Sequence, residues 1–269
     1  MVKLNGIEFG DGKPFVLIAG PCVIENEEIT FQTAEAIKEI TRKLGVPYVF
    51  KSSYKKANRT SLDSFSGLEF DAALKILDGV KEKFELPVIT DIHTEAEAET
   101  VAHHADILQI PAFLCRQTDL LIAAGKTGKI VNIKKGQFLA PKDMEHAIKK
   151  VESTGNKNIL LTERGTTFGY GNLVVDMRSL VIMRELGYPV VMDATHSVQM
   201  PGSGDVTGGA PEFIPPLAKA AAAVGIDALF LEVHPNPSEA LSDKASQLPL
   251  SELENLLVQI KRIDDAVKH

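Results

Sequence analysis

The sequence predicts a single (β/α)8 TIM barrel of the α/β class over residues 1–269, with a short N-terminal β-hairpin cap in residues 1–14. Three observations predict it. A short apolar run ending in polar or charged residues, followed by a segment of helical period, recurs eight times from Phe15 onward. The apolar runs are continuous rather than alternating, as expected of strands buried on both faces of a helix-covered parallel sheet. No Gly-x-Gly-x-x-Gly follows the first run, where Ala19-Gly20-Pro21-Cys22 stands, which disfavours a doubly wound open sheet.

Residues 2 to 9 alternate around Asn5-Gly6, a pair that favours a two-residue hairpin turn. The eight strand-like runs are residues 15–20, 48–53, 87–93, 107–112, 130–135, 159–164, 189–196 and 228–234. Between the first two, Thr33, Ala36, Ile37, Ile40 and Leu44 share a helix face, and Gly45 is placed as its stop. Phe70, Ala73, Leu74, Leu77, Val80 and Phe84 repeat the pattern in the second unit. In the last helix Ser251 and Glu254 have capping-box spacing, ahead of an apolar face of Leu253, Leu256, Leu257, Ile260 and Ile263. The loops after the second, seventh and eighth runs are long. The seventh, residues 201–211, carries four glycines and reads as a lid.

The chain of 269 residues is 44% apolar and 24% charged, with net charge −7 and two cysteines. That acidity argues against a nucleic-acid or anionic-membrane surface. No apolar run approaches the ~18 residues of a membrane span, and no signal peptide is recognisable, so a cytoplasmic protein with reduced thiols is expected. Against this background the segment from Phe50 to Ser61 stands out, with Lys51, Lys55, Lys56 and Arg59 set among hydroxyl and amide residues. Lysine supplies a compact charge and arginine a planar fork, both suited to phosphate oxygens, and Ser53, Asn58 and Thr60 can complete the hydrogen bonding. A solvated basic loop would have the same composition.

Barrel active sites are built at the C-terminal ends of the strands. Collecting those ends gives Cys22 and Glu25; Lys51, Lys56 and Arg59; Asp91 and His93; Gln109; Arg116; Lys134; Glu163 and Arg164; Asp193 and His196; Glu232 and His234. Nearly every strand brings an ionisable group to one end. Cys22, His196 and Glu232 together make a candidate divalent-metal site, and Asp243 in the eighth loop is within reach of it. Other signals are weaker. Gly125-Lys126-Thr127 imitates a P-loop ending, but Leu120 stands where that motif needs glycine. The adjacent His103-His104 point about 100° apart on a helix and read as surface, while Cys115 reads as a small buried hydrophobe.

With these residues in hand, the chain resembles the 3-deoxy-D-manno-octulosonate 8-phosphate synthases. The resemblance runs from Ala19-Gly20-Pro21-Cys22 to Leu241-Ser242-Asp243, and its most specific blocks are residues 50–59, 109–117, 132–141, 162–170 and 193–199. It implies condensation of phosphoenolpyruvate with D-arabinose 5-phosphate and water, in lipopolysaccharide biosynthesis. The related synthase that uses erythrose 4-phosphate usually carries Lys-Pro-Arg where Lys56-Ala57-Asn58-Arg59 stands here. A non-catalytic sugar-phosphate-binding barrel is the alternative of another class, which the intact set of charged strand ends disfavours.

The resemblance implies that Lys51, Ser53, Lys56, Gln109, Ala112, Lys134 and Arg164 hold phosphoenolpyruvate. Asn58, Arg59, Asp91 and Gln199 would position the sugar beside Phe113, and Arg116 would reach the sugar phosphate of a neighbouring subunit in a homotetramer. Lys51, Lys56, Asp91, Lys134, His196 and Asp243 form the implied catalytic set. Cys22 in place of asparagine, with Ser242-Asp243 and Gln247-Leu248-Pro249, resembles the metal-dependent branch. The implied ligands are Cys22, His196, Glu232 and Asp243, for an ion of zinc, iron or manganese type. Lys244 is a departure, since that position is usually small.

Overall fold

Asn5 and Gly6 both adopt positive φ, 46° and 85°, and the chain reverses on them so that Val2–Leu4 pairs antiparallel with Ile7–Phe9. The hairpin cap is therefore present. The computed structural model describes residues 1–58, 64–169, 171–200 and 208–268. Arg59 and the glycine-rich residues 201–207 lie outside them.

Eight parallel strands follow the hairpin among the described residues: Val16–Gly20, Tyr48–Lys51, Val88–Asp91, Ile107–Ile110, Ile130–Lys134, Ile159–Glu163, Val190–Asp193 and Ala228–His234. Each pairs with its sequence neighbour, and the eighth pairs with both the seventh and the first, so the sheet closes into a barrel. Alternation along the strands then sorts the residues. Outward side chains such as Leu17, Phe50, Val88, Leu108, Leu161 and Met192 join the core beneath the helices. Inward ones near the strand starts, Val16, Val49, Ile89, Ile107, Ile130, Leu160, Val191, Ala228 and Phe230, form a second apolar cluster with Val2 and Phe9 of the hairpin. Every strand is buried on both faces, which is why its sequence shows no polar alternation until its last residues.

The helices Glu27–Leu44, Phe70–Phe84, Glu95–His104, Thr118–Lys126, Met144–Glu152, Arg178–Arg184, Ile214–Val224 and Leu250–Lys268 are α1 to α8. Gly45 stops α1 in the left-handed conformation with φ 66°. The buried face of α1 is rotated from the expected one: Thr30, Thr33, Ala34, Ile37 and Thr41 are inside, and Ala36 is only partly buried. Three threonines serve there because each hydroxyl donates to the carbonyl four residues back. The capping-box reading at Ser251 is corrected, because α8 begins at Leu250 and Ser251 is already helical. A capping box does occur at Thr94 and Glu97, at the start of α3. The sixth barrel strand also leads into a ribbon, Thr166–Gly169 with Asn172–Val174, that strand period alone did not suggest.

Candidate active site

Inward positions turn from apolar to polar at the C-terminal end of the barrel. Lys51 ends the second strand and is almost fully buried, its Nζ donating to Ser53 Oγ at 2.9 Å, the Cys22 carbonyl at 3.1 Å and Glu232 Oε1 at 3.3 Å. Burial works against that charge, yet Asp91 and Glu232 outweigh it and hold the ammonium pKa above its ordinary value. Asp91 accepts from Ser53 and from Gln109, Gln109 Oε1 accepts from Asn132 Nδ2 at 2.9 Å, and Asn132 Oδ1 accepts from Thr162 Oγ1 at 2.6 Å. One hydrogen-bonded chain thus crosses five consecutive strand ends. Sequence reasoning missed Asn132 and Thr162, although both fall on the inward alternation of Lys134 and Arg164.

A second network orients the imidazole. Asp193 Oδ2 accepts from Lys134 Nζ at 2.7 Å and lies 2.8 Å from His196 Nδ1, while Oδ1 accepts the His196 backbone N–H at 2.8 Å. His196 Nε2 is left facing Glu232 Oε1 at 3.5 Å and Asp243 Oδ2 at 3.9 Å. Burial alone would raise the Asp193 carboxyl, but His196 and Lys134 hold it far below the usual range. Lys134 Nζ also sits 4.0 Å from the centre of the Phe230 ring. Phe230 lies beneath that ammonium in the inward apolar cluster, as its apolar run suggests.

Cys22, Glu232 and Asp243 bring ligand atoms within 4.8 Å of one another. His196 stands beside them through Nε2, with Nδ1 fixed by a carboxylate in the manner of metal-binding histidines. The donor chemistry fits a divalent ion, and Glu232 Oε2 is buried with no hydrogen-bond partner. Gln247 braces the first and eighth loops, accepting from the Cys22 N–H at 3.3 Å and donating to the Ser242 carbonyl at 2.8 Å. Lys56, expected at a substrate, reaches this cluster as well: its Nζ is 2.6 Å from Asp243 Oδ2 and 3.3 Å from Cys22 Sγ. Burial, then Glu232, push the Cys22 thiol pKa well up. Burial opposes ionisation of Asp243, but Lys56 and His196 lower its pKa to about 2. A bound cation would reverse the balance at the thiol, since coordination requires the thiolate.

Above these groups lies a cavity of about 480 Å³. Its walls include Lys51, Ser53, Lys56, Asn58, Asp91, Gln109, Ala112, Phe113, Lys134, Arg164, His196, Gln199, Glu232 and Asp243, so most of the expected residues converge. Arg164 donates from Nη2 to Gln199 Oε1 at 2.7 Å, while Nη1 is buried and unpartnered. Lys55, Ala57, His93, Pro111, Leu114 and Gln137 also line the cavity; of these only His93 had been singled out as a strand end.

Some expected positions fall elsewhere. Arg116 is exposed and does not line this cavity, and its carbonyl accepts from Lys150. Glu25 holds the eighth loop through the Leu241 N–H and lies 3.7 Å from His234 Nε2, so neither faces the cavity. Glu163 points away from it because successive strand residues face opposite sides. Lys244 is exposed. Cys115 is buried in the core, as expected.

A model of the DAHP synthetase I family matches residues 1–269. Among similar proteins, 2-dehydro-3-deoxyphosphooctonate aldolase of Cyanothece sp. is 57% identical over 271 residues, covering 99% of each chain. The proteins of the same name from Syntrophotalea carbinolica and Fusobacterium nucleatum are each 56% identical over 268 residues, covering 99% of this chain and 97% and 96% of theirs.

Proposed function

The chain belongs to the DAHP synthetase I family, and from that premise we propose that it condenses phosphoenolpyruvate with D-arabinose 5-phosphate and water. The products are 3-deoxy-D-manno-octulosonate 8-phosphate and inorganic phosphate, the synthetic direction of the aldolase name its relatives carry. A bond forms between C3 of phosphoenolpyruvate and the sugar aldehyde carbon, water adds at C2, and the C2–O bond to phosphate breaks. The observation that carries this reading is the gathering of Lys51, Lys56, Lys134 and Arg164 around one cavity, with Arg164 Nη1 buried and unpartnered. Two phosphate dianions repel each other, and a cavity that brings them together needs several fixed cations to offset that repulsion and orient the reacting carbons.

Within this reading Lys134 and Arg164 bind the phosphate of phosphoenolpyruvate. Lys51, Ser53, Lys56, Gln109 and Ala112 hold the rest of that substrate. Asn58, Arg59, Asp91 and Gln199 position the sugar against Phe113. Arg116 reaches the sugar phosphate of a neighbouring copy in a homotetramer, which suits its place outside its own cavity. Cys22, His196, Glu232 and Asp243 hold a divalent ion of zinc, iron or manganese type, since sulfur and nitrogen donors suit these better than magnesium. Such an ion supplies a Lewis acid at the reacting oxygen atoms. No helix among the described residues is long and apolar enough to cross a membrane. We assign the enzyme to the cytoplasm and to lipopolysaccharide biosynthesis.

The test is turnover with two sugars. Arabinose 5-phosphate is expected to exceed erythrose 4-phosphate in kcat/KM by roughly 10⁴-fold, because a shorter sugar leaves buried polar groups unpaired. Comparable constants would reassign the enzyme to the erythrose phosphate branch, and no turnover with either would favour a binding protein.

A further inference from the structure

Lys135 and Glu163 are the sequence neighbours of Lys134 and Arg164, and they point the opposite way. Both are buried outside the barrel, with Lys135 Nζ 3.4 Å from Glu163 Oε1. Glu163 Oε1 also accepts the Gly165 N–H at 2.6 Å, and Oε2 accepts from Ser179 Oγ of α6 at 2.5 Å. Lys135 Nζ donates to Thr166 Oγ1 at 3.1 Å and to the carbonyls of Gly136 and Leu139 at 3.3 and 3.4 Å. Its backbone N–H donates to the Thr162 carbonyl at 2.8 Å. The turn that follows the fifth strand is thereby tied to the turn that follows the sixth.

Both turns are tight. Gly165 has φ 92°, and a Cβ at Gly136 would lie 2.9 Å from the Phe138 ring and 3.1 Å from Cys115 Sγ. A buried ion pair is poor evidence of stabilisation, because apolar residues of similar volume often do as well. What this pair has that apolar residues lack is direction: its hydrogen bonds fix the two strand ends relative to each other.

We propose that Lys135 and Glu163 are positioning residues that set the separation of Lys134 and Arg164, and so the fit of the phosphate of phosphoenolpyruvate between them. The inference rests on the reading given under Proposed function. Neither residue lines the substrate cavity, so the pair acts through the backbone of its neighbours.

The test compares Glu163→Gln with the double variant Lys135→Met/Glu163→Gln, which removes both charges and leaves no buried ion unpaired. The dissociation constant of phosphoenolpyruvate is measured by calorimetry, KM for both substrates by steady-state kinetics, and Tm by calorimetric scan. The double variant is expected to fold with a Tm near that of the wild type, yet bind phosphoenolpyruvate about tenfold more weakly, as a misplaced binding group would. KM for the sugar phosphate should rise less than that, because of the groups assigned to the sugar only Gln199 bonds to Arg164. Recovery of wild-type phosphoenolpyruvate affinity in the double variant would overturn the proposal, as would equal weakening of both substrates. If Glu163→Gln fails to fold, the double variant carries the comparison. A wild-type protein that binds phosphoenolpyruvate without turning over would refute the proposed reaction, while the affinity comparison would still decide the role of the pair.

Discussion

At Arg164 one guanidinium divides its work. Nη2 is committed to Gln199, whereas Nη1 is buried beside the cavity without a partner. Burial lowers the guanidinium pKa from its ordinary value, though arginine remains charged. Arg164→Lys keeps the charge and loses the planar fork, so it cannot hold Gln199 and a phosphate oxygen together. A loss on the order of 10²-fold in kcat/KM for phosphoenolpyruvate is expected from steady-state kinetics; unchanged constants would put the phosphate elsewhere. On the proposed function Cys22 makes the opposite case, a small side chain whose role is metal binding and not packing. It fills little of the core, so Cys22→Ala should keep its Tm within a few degrees while losing bound metal and turnover. Cys22→Asn introduces an amide that can hydrogen-bond in the same place, and partial activity insensitive to chelator is expected. Metal content measured on all three proteins decides it: a Cys22→Ala variant that keeps its metal would make the residue only a buried thiol.

Among the elements, the barrel strands were the most legible, because burial on both faces leaves an apolar run that only its last residues interrupt. Lys51, Asp91, Gln109, Lys134, Arg164, Asp193 and Glu232 stood out for that reason. What an apolar run hides is which residues face inward. Glu163 is a strand-end carboxylate like the others in sequence, yet it lies beneath α6 and not in the cavity. Contacts through loops were less legible still, since Lys56 meets Asp243 across 187 residues of sequence. Gly20 is one element position whose residue type follows directly from packing: a Cβ there would lie 2.1 Å from the Lys51 carbonyl oxygen and 3.0 Å from the Phe50 ring. Backbone cannot yield as a flexible side chain can. Gly20→Ala is therefore expected to push the first and second strands apart, destabilise by about 1–3 kcal/mol, and displace Lys51. Thermal melting together with KM for phosphoenolpyruvate checks it, and an unchanged KM in a destabilised variant would show that strand spacing does not reach the site.

Across the whole molecule the two ends of the barrel are chemically opposite. The C-terminal end gathers buried charges around the cavity, while the other is an apolar layer closed by the hairpin through Val2 and Phe9, with Leu4 and Ile7 packed beside them. The short strands Val2–Leu4 and Ile7–Phe9 could not persist alone, because a two-stranded hairpin is marginal in water; they are held by what they cover. Deleting residues 1–9 would remove Val2 and Phe9 and expose the inward-facing strand starts they cover, such as Val16, Ile107, Ile130 and Ala228. Two fully buried apolar side chains contribute roughly 3–6 kcal/mol between them. For a chain of this size that corresponds to a fall in Tm of roughly 6–12 °C. No hairpin residue lines the substrate cavity, so kcat/KM measured well below both melting points should change by no more than about twofold, as expected when stability and chemistry occupy opposite faces of a barrel. A truncated protein that melts like the full chain would show that the hairpin covers the barrel without stabilising it. One that keeps most of its stability but loses turnover would mean that the apolar layer transmits strain to Phe230 and the lysines above it.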